Sequence, residues 1–278
     1  MQVNPLGQQT GYVSEYAPQL LFPIVRAESR SLLGLVGELP FHGVDVWTGY
    51  ELSWLDLKGK PIVAVAEFFI PCCSEFIIES KSFKLYLNSL NQSRFASLQD
   101  VEQLLAQDLS RAAAASVSVN LRSLQTQRMN DSLDAIVSFA GRCIDDMDIS
   151  VSVYHPEPEL LREDVGSRPE VVTEALHSHL LKTNCPVTGQ PDWASIEVSY
   201  TGAKIPEGNL LRYLISFREH QDFHEHCVER IFCDILRECA PTQLSVYARY
   251  TRRGGLDINP YRSTDKGFVV PKLRLLRQ

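Results

Sequence analysis

Two segments that we predict to be strands, 177–184 and 193–200, are joined by the stretch Cys185-Pro186-Val187-Thr188-Gly189-Gln190-Pro191-Asp192. Pro186 lacks a backbone N–H and ends the element before it, and the Thr-Gly pair that follows is typical of a tight turn. Residues 196–200 alternate between apolar and polar side chains, which is the period of a half-buried strand. The stretch therefore predicts a strand–turn–strand unit.

This turn carries a thiol at one end and a carboxylate at the other. Cys185 lies where a ligand can reach a strand turn, and a cysteine there can act as a nucleophile. Asp192 is close enough in sequence to transfer a proton to or from a bound molecule. The alternative is a buried cysteine beside a solvated aspartate, and the residue types alone leave both interpretations open.

Composition indicates a globular chain. Of the 278 residues, 44% are hydrophobic and 22% are charged, and the net charge is −7. Because phosphate backbones attract clustered Lys and Arg, this charge argues against a general nucleic-acid surface. Residues 1–11 lack the apolar core of a signal peptide, and the apolar run 62–66 ends at Glu67, so no membrane span is expected.

The seven cysteines are an odd number at irregular spacings, with only Cys72 and Cys73 adjacent. This usage fits reduced thiols better than a disulfide framework, and we expect a cytoplasmic protein.

The first half of the chain reads as two strands, two helices and two strands. After a surface arm over 12–36, the predicted elements are strands at 46–57 and 61–70, a helix after 79–82 capped by Ser80 or Ser82, a helix at 98–109, and strands at 117–121 and 135–139. Residues 56–60 have the composition of a hairpin turn.

The second half repeats this order, with helices at 210–217 and 224–238 and a strand at 244–250. Tyr86-Leu87-x-Ser89 matches Tyr213-Leu214-x-Ser216 at an offset of 127 residues, and three further matches share that offset. We therefore predict a duplicated module, with a boundary in the proline-rich segment 155–169, and assign residues 1–160 and 161–278 to the two copies.

Each half has polar residues that the other lacks. The first half carries Glu79-Ser80-Lys81, and the second carries Cys185, Asp192 and His224-Glu225. One site built from both modules would explain this difference. Alternatively, each set is a solvated helix start, where Ser, Asp and Glu are favoured as caps.

Two histidine-containing stretches invite a metal interpretation. They are His224-Glu225-His226-Cys227 and His177-x-His179. The His-Glu-x-x-His pattern of zinc proteases fails at Val228. A zinc site assembled from dispersed His, Cys and Glu residues remains an alternative, although His226 and Cys227 fit packing roles better.

The segment Arg252-Arg253-Gly254-Gly255 has the composition of a phosphate-binding turn. Glycine lets the backbone approach a ligand, and guanidinium groups donate in pairs to phosphate oxygens. Lys81 and Lys84 add cations from the first half. No Gly-x-Gly-x-x-Gly or Walker pattern is present, so a dinucleotide would be held outside a Rossmann fold. A solvated turn is the alternative.

Together these stretches resemble the two-module branch of the NADPH-dependent 7-cyano-7-deazaguanine reductases, the nitrile reductases of queuosine biosynthesis, over residues 39–278. The residues that carry the resemblance are Glu79-Ser80-Lys81-Ser82-Phe83-Lys84-Leu85-Tyr86-Leu87-Asn88-Ser89, Asn184-Cys185-Pro186, Gly189-Gln190-Pro191-Asp192-Trp193, Ser216-Phe217-Arg218, Phe223-His224-Glu225 and Tyr250-Thr251-Arg252-Arg253-Gly254-Gly255-Leu256-Asp257-Ile258-Asn259-Pro260. The resemblance implies an α+β fold of two tandem tunnelling-fold modules, in which antiparallel sheets carry paired helices.

The resemblance also implies an oxidoreductase that makes an amine from a nitrile with two NADPH per turnover, through a thioimidate on Cys185. Asp192 would supply the proton and His224 would assist. Substrate-binding residues would be Ile78, Glu79, Ser80, His224 and Glu225. NADPH would be held by Ser80, Lys81, Arg253 and Gly254, with Arg252 a weaker candidate.

The same resemblance implies a metal-free homodimer that acts on a small deazapurine. Two alternatives stay open at this point. One is a zinc-dependent hydrolase similar to the GTP cyclohydrolases, and the other is a purine-binding protein without catalytic activity.

Overall fold

The computed structural model describes residues 11–124, 135–162 and 170–278. Contacts between Cα atoms divide the chain into two compact units. In the described ranges, unit 1 holds residues 11–34, 44–124 and 252–258, and unit 2 holds residues 35–43, 135–162, 170–251 and 259–278. None of the helices in these ranges is long and apolar enough to cross a lipid bilayer.

Unit 1 combines an antiparallel sheet with a pair of helices. Its elements are β1 (Pro23–Val25), α1 (Arg26–Leu32), most of β2 (His42–Leu55), β3 (Pro61–Pro71), β4 (Phe76–Ile78), α2 (Ser80–Ser89), α3 (Leu98–Ala113) and β5 (Ser118–Ser123). Strand β3 lies between β2 and β5, and both pairings are antiparallel. The short strands β1 and β4 form a second antiparallel pair.

The hairpin between β2 and β3 confirms the prediction for residues 56–60. The Asp56 carboxylate accepts hydrogen bonds from the backbone N–H groups of Lys58 and Lys60, both at 2.9 Å. Gly59 adopts a φ of +86°, which a residue without Cβ takes without strain. Local turn chemistry thus sets the register of the two strands.

The core of unit 1 is formed where the helices cover the sheet. Phe83 of α2 packs edge-on against Trp47 and Phe68, with ring centroids 5.2 and 5.0 Å apart. Val101 and Leu105, one turn apart on α3, are fully buried in the same cluster. The helical spacing of these apolar residues explains why both predicted helices form.

Unit 2 has a similar composition of elements. They are β6 (Arg142–Cys143), β7 (Val171–Ser178), β8 (Lys182–Asn184), β9 (Pro191–Ala203), α4 (Glu207–Ser216), α5 (His224–Cys239), β10 (Gln243–Tyr250) and β11 (Leu256–Ser263), of which residues 259–263 belong to this unit. Strand β9 lies between β7 and β10, and β10 also pairs with β11, all antiparallel. Strand β6 pairs with β7 in parallel, and β8 pairs with the start of β9.

The helix pairs of the two units share a contact that supports the predicted repeat. In unit 1 the hydroxyl of Tyr86 donates to the Asp108 carboxylate at 2.8 Å. In unit 2 the hydroxyl of Tyr213, the matched residue, donates to Asp234 at 2.8 Å. All four side chains are buried, so each bond satisfies a polar pair between two helices.

Three sequence predictions about elements are wrong. Residues 135–139 do not form a strand; Ile136 makes an isolated bridge with Arg274 instead. The predicted strand 177–184 is interrupted after Ser178, where the backbone N–H of His179 donates to the Asp145 carboxylate. The segment 12–36 is more than a surface arm, since it contains β1 and α1 and buries Arg26 in an ion pair with Asp45.

The grouping by contacts also differs from the predicted boundary between residues 160 and 161. Residues 135–162 lie in unit 2, where Leu160 and Leu161 are buried and pack against α4 and α5. Residues 163–169, the rest of the predicted linker, lie outside the described ranges. The assignment of residues to two modules stays a prediction.

Candidate active site

Cys185 lies at the end of β8, where the chain turns back into β9. The turn is closed by two backbone hydrogen bonds, from Cys185 N to Gln190 O at 2.9 Å and from Gly189 N to Cys185 O at 3.0 Å. Gly189 has a φ of +66°, so the turn requires a left-handed residue at this point. Only 4% of the Cys185 surface is exposed, which corrects the view of an open thiol at the mouth of the turn.

The same hairpin holds Asp192 on the side of Cys185. Asp192 is directly opposite Thr183 in the pairing of β8 and β9. Residues 182–185 alternate between half-buried and buried, so Thr183 and Cys185 share the buried face. Asp192 is 8% exposed. Cys185 and Asp192 therefore both lie on the buried face of the hairpin, where little water reaches them.

His224 completes this group from the first turn of α5. Its Nε2 lies 3.4 Å from an oxygen of the Asp192 carboxylate. The loop before α5 is tied to the hairpin, because Asn184 N donates to His220 O at 2.8 Å and Asp222 N donates to Asn184 O at 3.2 Å. The hairpin of β8 and β9 thus carries Cys185 and Asp192, and α5 places His224 against the Asp192 carboxylate. Their catalytic roles stay a prediction.

Tyr250, which was not singled out as a site residue, supports the imidazole of His224. The two rings are stacked, with centroids 3.7 Å apart and an interplanar angle of 2°. Tyr250 is fully buried at the end of β10, and its backbone N–H donates to the Asn259 side chain at 3.0 Å. A stacked, immobile ring restricts His224 to one orientation. No periodicity in the sequence reveals this contact, because it joins residues from two distant elements.

The other cysteines on α5 are poor nucleophiles. Burial holds the pKa of the Cys227 thiol well above its usual value. Burial also raises the pKa of Cys233 to about 12 and that of Cys239 to about 11. A thiolate, not a thiol, attacks carbon, so burial disfavours nucleophilic attack by these three thiols.

Glu225 and His226 follow His224 on α5. Glu225 is 2% exposed. His226 is buried and its Nδ1 lies 3.1 Å from Asp222, an arrangement that fits the predicted packing role. Within the described ranges, no group of three potential metal ligands includes residues of the 224–227 stretch.

The first-half site residues surround the N-terminus of α2 in unit 1. Glu79 is fully buried and its two carboxylate oxygens accept hydrogen bonds from Lys81 N and Ser82 N, each at 2.7 Å. Glu79, and not Ser80 or Ser82, is therefore the N-cap, which corrects the sequence prediction. A carboxylate cap also interacts favourably with the positive end of the helix dipole. Ile78, just before it in β4, is buried.

We expect Glu79→Ala to lower the free energy of unfolding by about 1–2 kcal/mol, because two backbone N–H groups lose their acceptor. Urea denaturation of the variant and wild type measures the difference. Ser80→Ala, one residue along, is the matched control and should change stability by less than about 0.5 kcal/mol. A larger loss of unfolding free energy in Ser80→Ala than in Glu79→Ala would show that Ser80 is the cap.

A glycine turn in unit 1 lies beside Lys84 of α2. Arg253 N donates to Leu256 O at 2.9 Å, and the two residues between them, Gly254 and Gly255, both have positive φ, +61° and +71°. This is the geometry of a tight two-residue hairpin turn. The methylenes of Lys84 lie close to Gly254, where an added Cβ would be 3.2 Å from Lys84 Cδ.

Lys81 is three residues before Lys84 and shares its helix face. Arg252 is exposed and its guanidinium lies 4.1 Å from the centroid of the Tyr50 ring. Unit 1 thus presents several cations and two glycines together, which fits the binding of phosphate groups.

Comparison with known proteins supports the resemblance seen in the sequence. Residues 12–121 match a family model described as "Nitrile reductase, 7-cyano-7-deazaguanine-reductase N-term", and residues 191–267 match one described as "QueF-like protein". An NADPH-dependent 7-cyano-7-deazaguanine reductase of Bordetella avium is 55% identical over 274 residues, covering 99% of this chain and 98% of the relative. The protein of the same name from Saccharophagus degradans is 54% identical over 274 residues, covering 98% of each chain.

A solved structure described as the archaeosine synthase QueF-Like in the apo form is 15% identical, covering 35% of this chain and 95% of that chain. Its TM-score of 0.30 is too low to carry an argument.

Proposed function

This chain belongs to the family of NADPH-dependent 7-cyano-7-deazaguanine reductases, and we propose that its Cys185 forms a thioimidate with the nitrile during turnover. The protein is an oxidoreductase of queuosine biosynthesis that uses NADPH to reduce the nitrile of 7-cyano-7-deazaguanine to an amine. The observation that supports the thioimidate is the burial of Cys185 and Asp192 in one hairpin, with His224 3.4 Å from the carboxylate.

The addition step is balanced without an outside proton. The sulfur of Cys185 forms a bond to the electrophilic nitrile carbon, and one of the C≡N π bonds breaks. The thiol proton ends on the nitrile nitrogen, which gives a neutral thioimidate. Asp192 is the proposed carrier of this proton, and His224 beside it is the proposed second carrier. Burial of the Cys185 and Asp192 side chains would keep bulk water away from the C=N bond.

We propose that five residues bind the base. Glu225 and Glu79 would accept hydrogen bonds from N–H groups of the deazaguanine ring, His224 would contact the base, and Ile78 and Ser80 would line its position. Both glutamates are buried, so each bond would form away from water.

Ser80, Lys81, Arg253 and Gly254 are the residues that we propose to hold NADPH. The cofactor would supply hydride to carbon, two hydrides for the full conversion of nitrile to amine. The protein groups here fit a dinucleotide phosphate, since Gly254 leaves the backbone accessible and the lysines and arginines supply charge.

We expect Lys81→Gln to raise the KM for NADPH about tenfold while leaving the KM for the nitrile unchanged, because a charged hydrogen bond is worth ~1.5 kcal/mol or more. Steady-state rates with each substrate varied separately make the comparison. Lys58→Gln, a change of the same type in the exposed hairpin turn of unit 1, should leave both constants unchanged. An equal rise of both KM values in Lys81→Gln would remove Lys81 from the cofactor site.

The test of the overall reaction is the stoichiometry of NADPH oxidation. Two NADPH should be consumed per aminomethyl product formed, and none without the nitrile. The zinc-dependent hydrolase alternative would instead consume substrate without NADPH, and a non-catalytic purine-binding protein would consume neither.

We further propose that each unit is a tunnelling-fold module and that the enzyme is a cytoplasmic homodimer. The repeated tyrosine–aspartate contact between the helices of each unit supports the first proposal. All seven cysteines lie in the described ranges and are free thiols, which is consistent with a reducing compartment. Sedimentation equilibrium of the purified protein measures whether it is a dimer.

A further inference from the structure

A second cluster of reactive side chains lies in unit 2, on β6 and β7. Cys143, His177 and His179 each offer one potential ligand atom, and these atoms all lie within 4.8 Å of one another. The sheet causes this proximity, because Cys143 pairs with His177 across the parallel strands β6 and β7. His179 follows just after the end of β7, and its ring lies beside that of His177.

His177 is the least exposed member of this cluster. Its side chain is 6% exposed, and its Nδ1 has no hydrogen-bond partner among the residues that the structure describes. Buried polar atoms are nearly always satisfied, so an unsatisfied imidazole nitrogen indicates a missing partner. The rings of His177 and His179 have centroids 5.2 Å apart.

The surroundings already orient the ligands. Nδ1 of His179 lies 2.8 Å from the Ser195 hydroxyl, which leaves Nε2 for another partner. The Asp145 carboxylate accepts from His179 N at 2.9 Å and from the Ser178 hydroxyl at 2.6 Å, and so fixes the end of β7. Metal-bound histidines commonly have their other ring nitrogen held in this way.

We propose that Cys143, His177 and His179 bind one zinc ion. A thiolate and two imidazoles are the ligand types that zinc prefers, and a water molecule would complete the tetrahedron. Tetrahedral zinc brings its donor atoms to roughly 3.5 Å from one another, so the cluster must contract slightly. Cys143 is exposed at the end of a two-residue strand, where its side chain has room to turn.

Nearby charges are compatible with a cation. Glu197 is directly opposite His177 in the pairing of β7 and β9, and Asp145 adds a second carboxylate. Arg277 is a positive charge near the cluster. Its guanidinium donates to His179 O and to the Ser195 hydroxyl. This zinc would take no part in the nitrile chemistry, and zinc binding would not require that reaction.

The test is a zinc titration of the full-length chain, purified without a histidine tag and stripped with a chelator. Competition with a chromophoric chelator should give one zinc per chain. Loss of a hydrogen bond that only orients a metal ligand typically costs 10–100-fold in affinity. Cys143→Ser and His179→Gln each remove a ligand itself, so each should weaken zinc binding by about 100-fold or more. Cobalt(II) added in place of zinc should give a thiolate-to-metal absorption band that Cys143→Ser abolishes.

Two further variants make the outcome decisive. Cys73→Ser, which changes another exposed cysteine, should keep full zinc binding. Cys185→Ala should also keep it. Absence of zinc binding in the wild type, unchanged binding in Cys143→Ser, or loss of binding in Cys185→Ala would each overturn the proposal. NADPH oxidation by Cys143→Ser should equal that of the wild type, which shows that this variant is folded.

Discussion

Wild-type protein incubated with 7-cyano-7-deazaguanine, without NADPH, should gain the mass of the whole nitrile, and the Cys185→Ala variant should gain nothing. Addition of a thiol to a nitrile expels no leaving group, so the adduct keeps every atom of the substrate. Without hydride the thioimidate cannot proceed, and intact-mass spectrometry should detect it. Turnover of Cys185→Ala should fall to the background rate.

The other cysteines of unit 2 provide the control for this experiment. Cys239→Ala removes a thiol whose pKa burial raises to about 11, and it should form the adduct like the wild type. An adduct of the same mass on Cys185→Ala would assign the nucleophile to another residue. Absence of an adduct on the wild type would contradict the thioimidate and would favour direct reduction of the nitrile.

Asp192→Asn should lower kcat by about 10²–10⁴-fold while the Kd for the nitrile changes little. The amide has the same shape as the carboxyl group and keeps the hairpin packed, but it cannot carry a proton to the nitrile nitrogen. Single-turnover rates of adduct formation, together with equilibrium binding of the substrate, separate the chemical step from binding. Asp265→Asn, an exposed change in the same unit, is the matched control and should turn over normally.

Because Asp192 and His224 lie close together, the same experiment can show which of them carries the proton. If Asp192→Asn turns over at a nearly normal rate, another group carries the proton, and His224 is the nearest candidate at 3.4 Å. His224→Gln would then show the large loss instead. Comparable losses in both variants would mean that the two residues act as one unit, whose effects are not additive.

Elements with strong local signals could be predicted from the sequence. The hairpin around residues 56–60 follows from turn residues and flanking apolar strands, and the structure confirms it. Helix α5 was predicted at 224–238 and ends at Cys239. These segments depend on contacts within a few residues, so their patterns are visible without the rest of the chain.

Elements that depend on distant partners were missed. Residues 135–139 have the composition of a strand, but within the described ranges they form only one isolated bridge, between Ile136 and Arg274. Strand β11 was not predicted, although it is buried along its whole length. The helix cap at Glu79 was missed because capping serines stand on both sides of Lys81.

The sequence by itself determined the family of this protein and the candidate reactive residues, because the ordered motifs around Cys185, Asp192 and His224 resemble those of the family. Only the tertiary structure decided how those groups are held. Tyr250 stacks on His224, and Cys143 meets His177, through residues that are far apart along the chain. Such contacts depend on which strands pair and in which register, and packing of the whole unit sets that register.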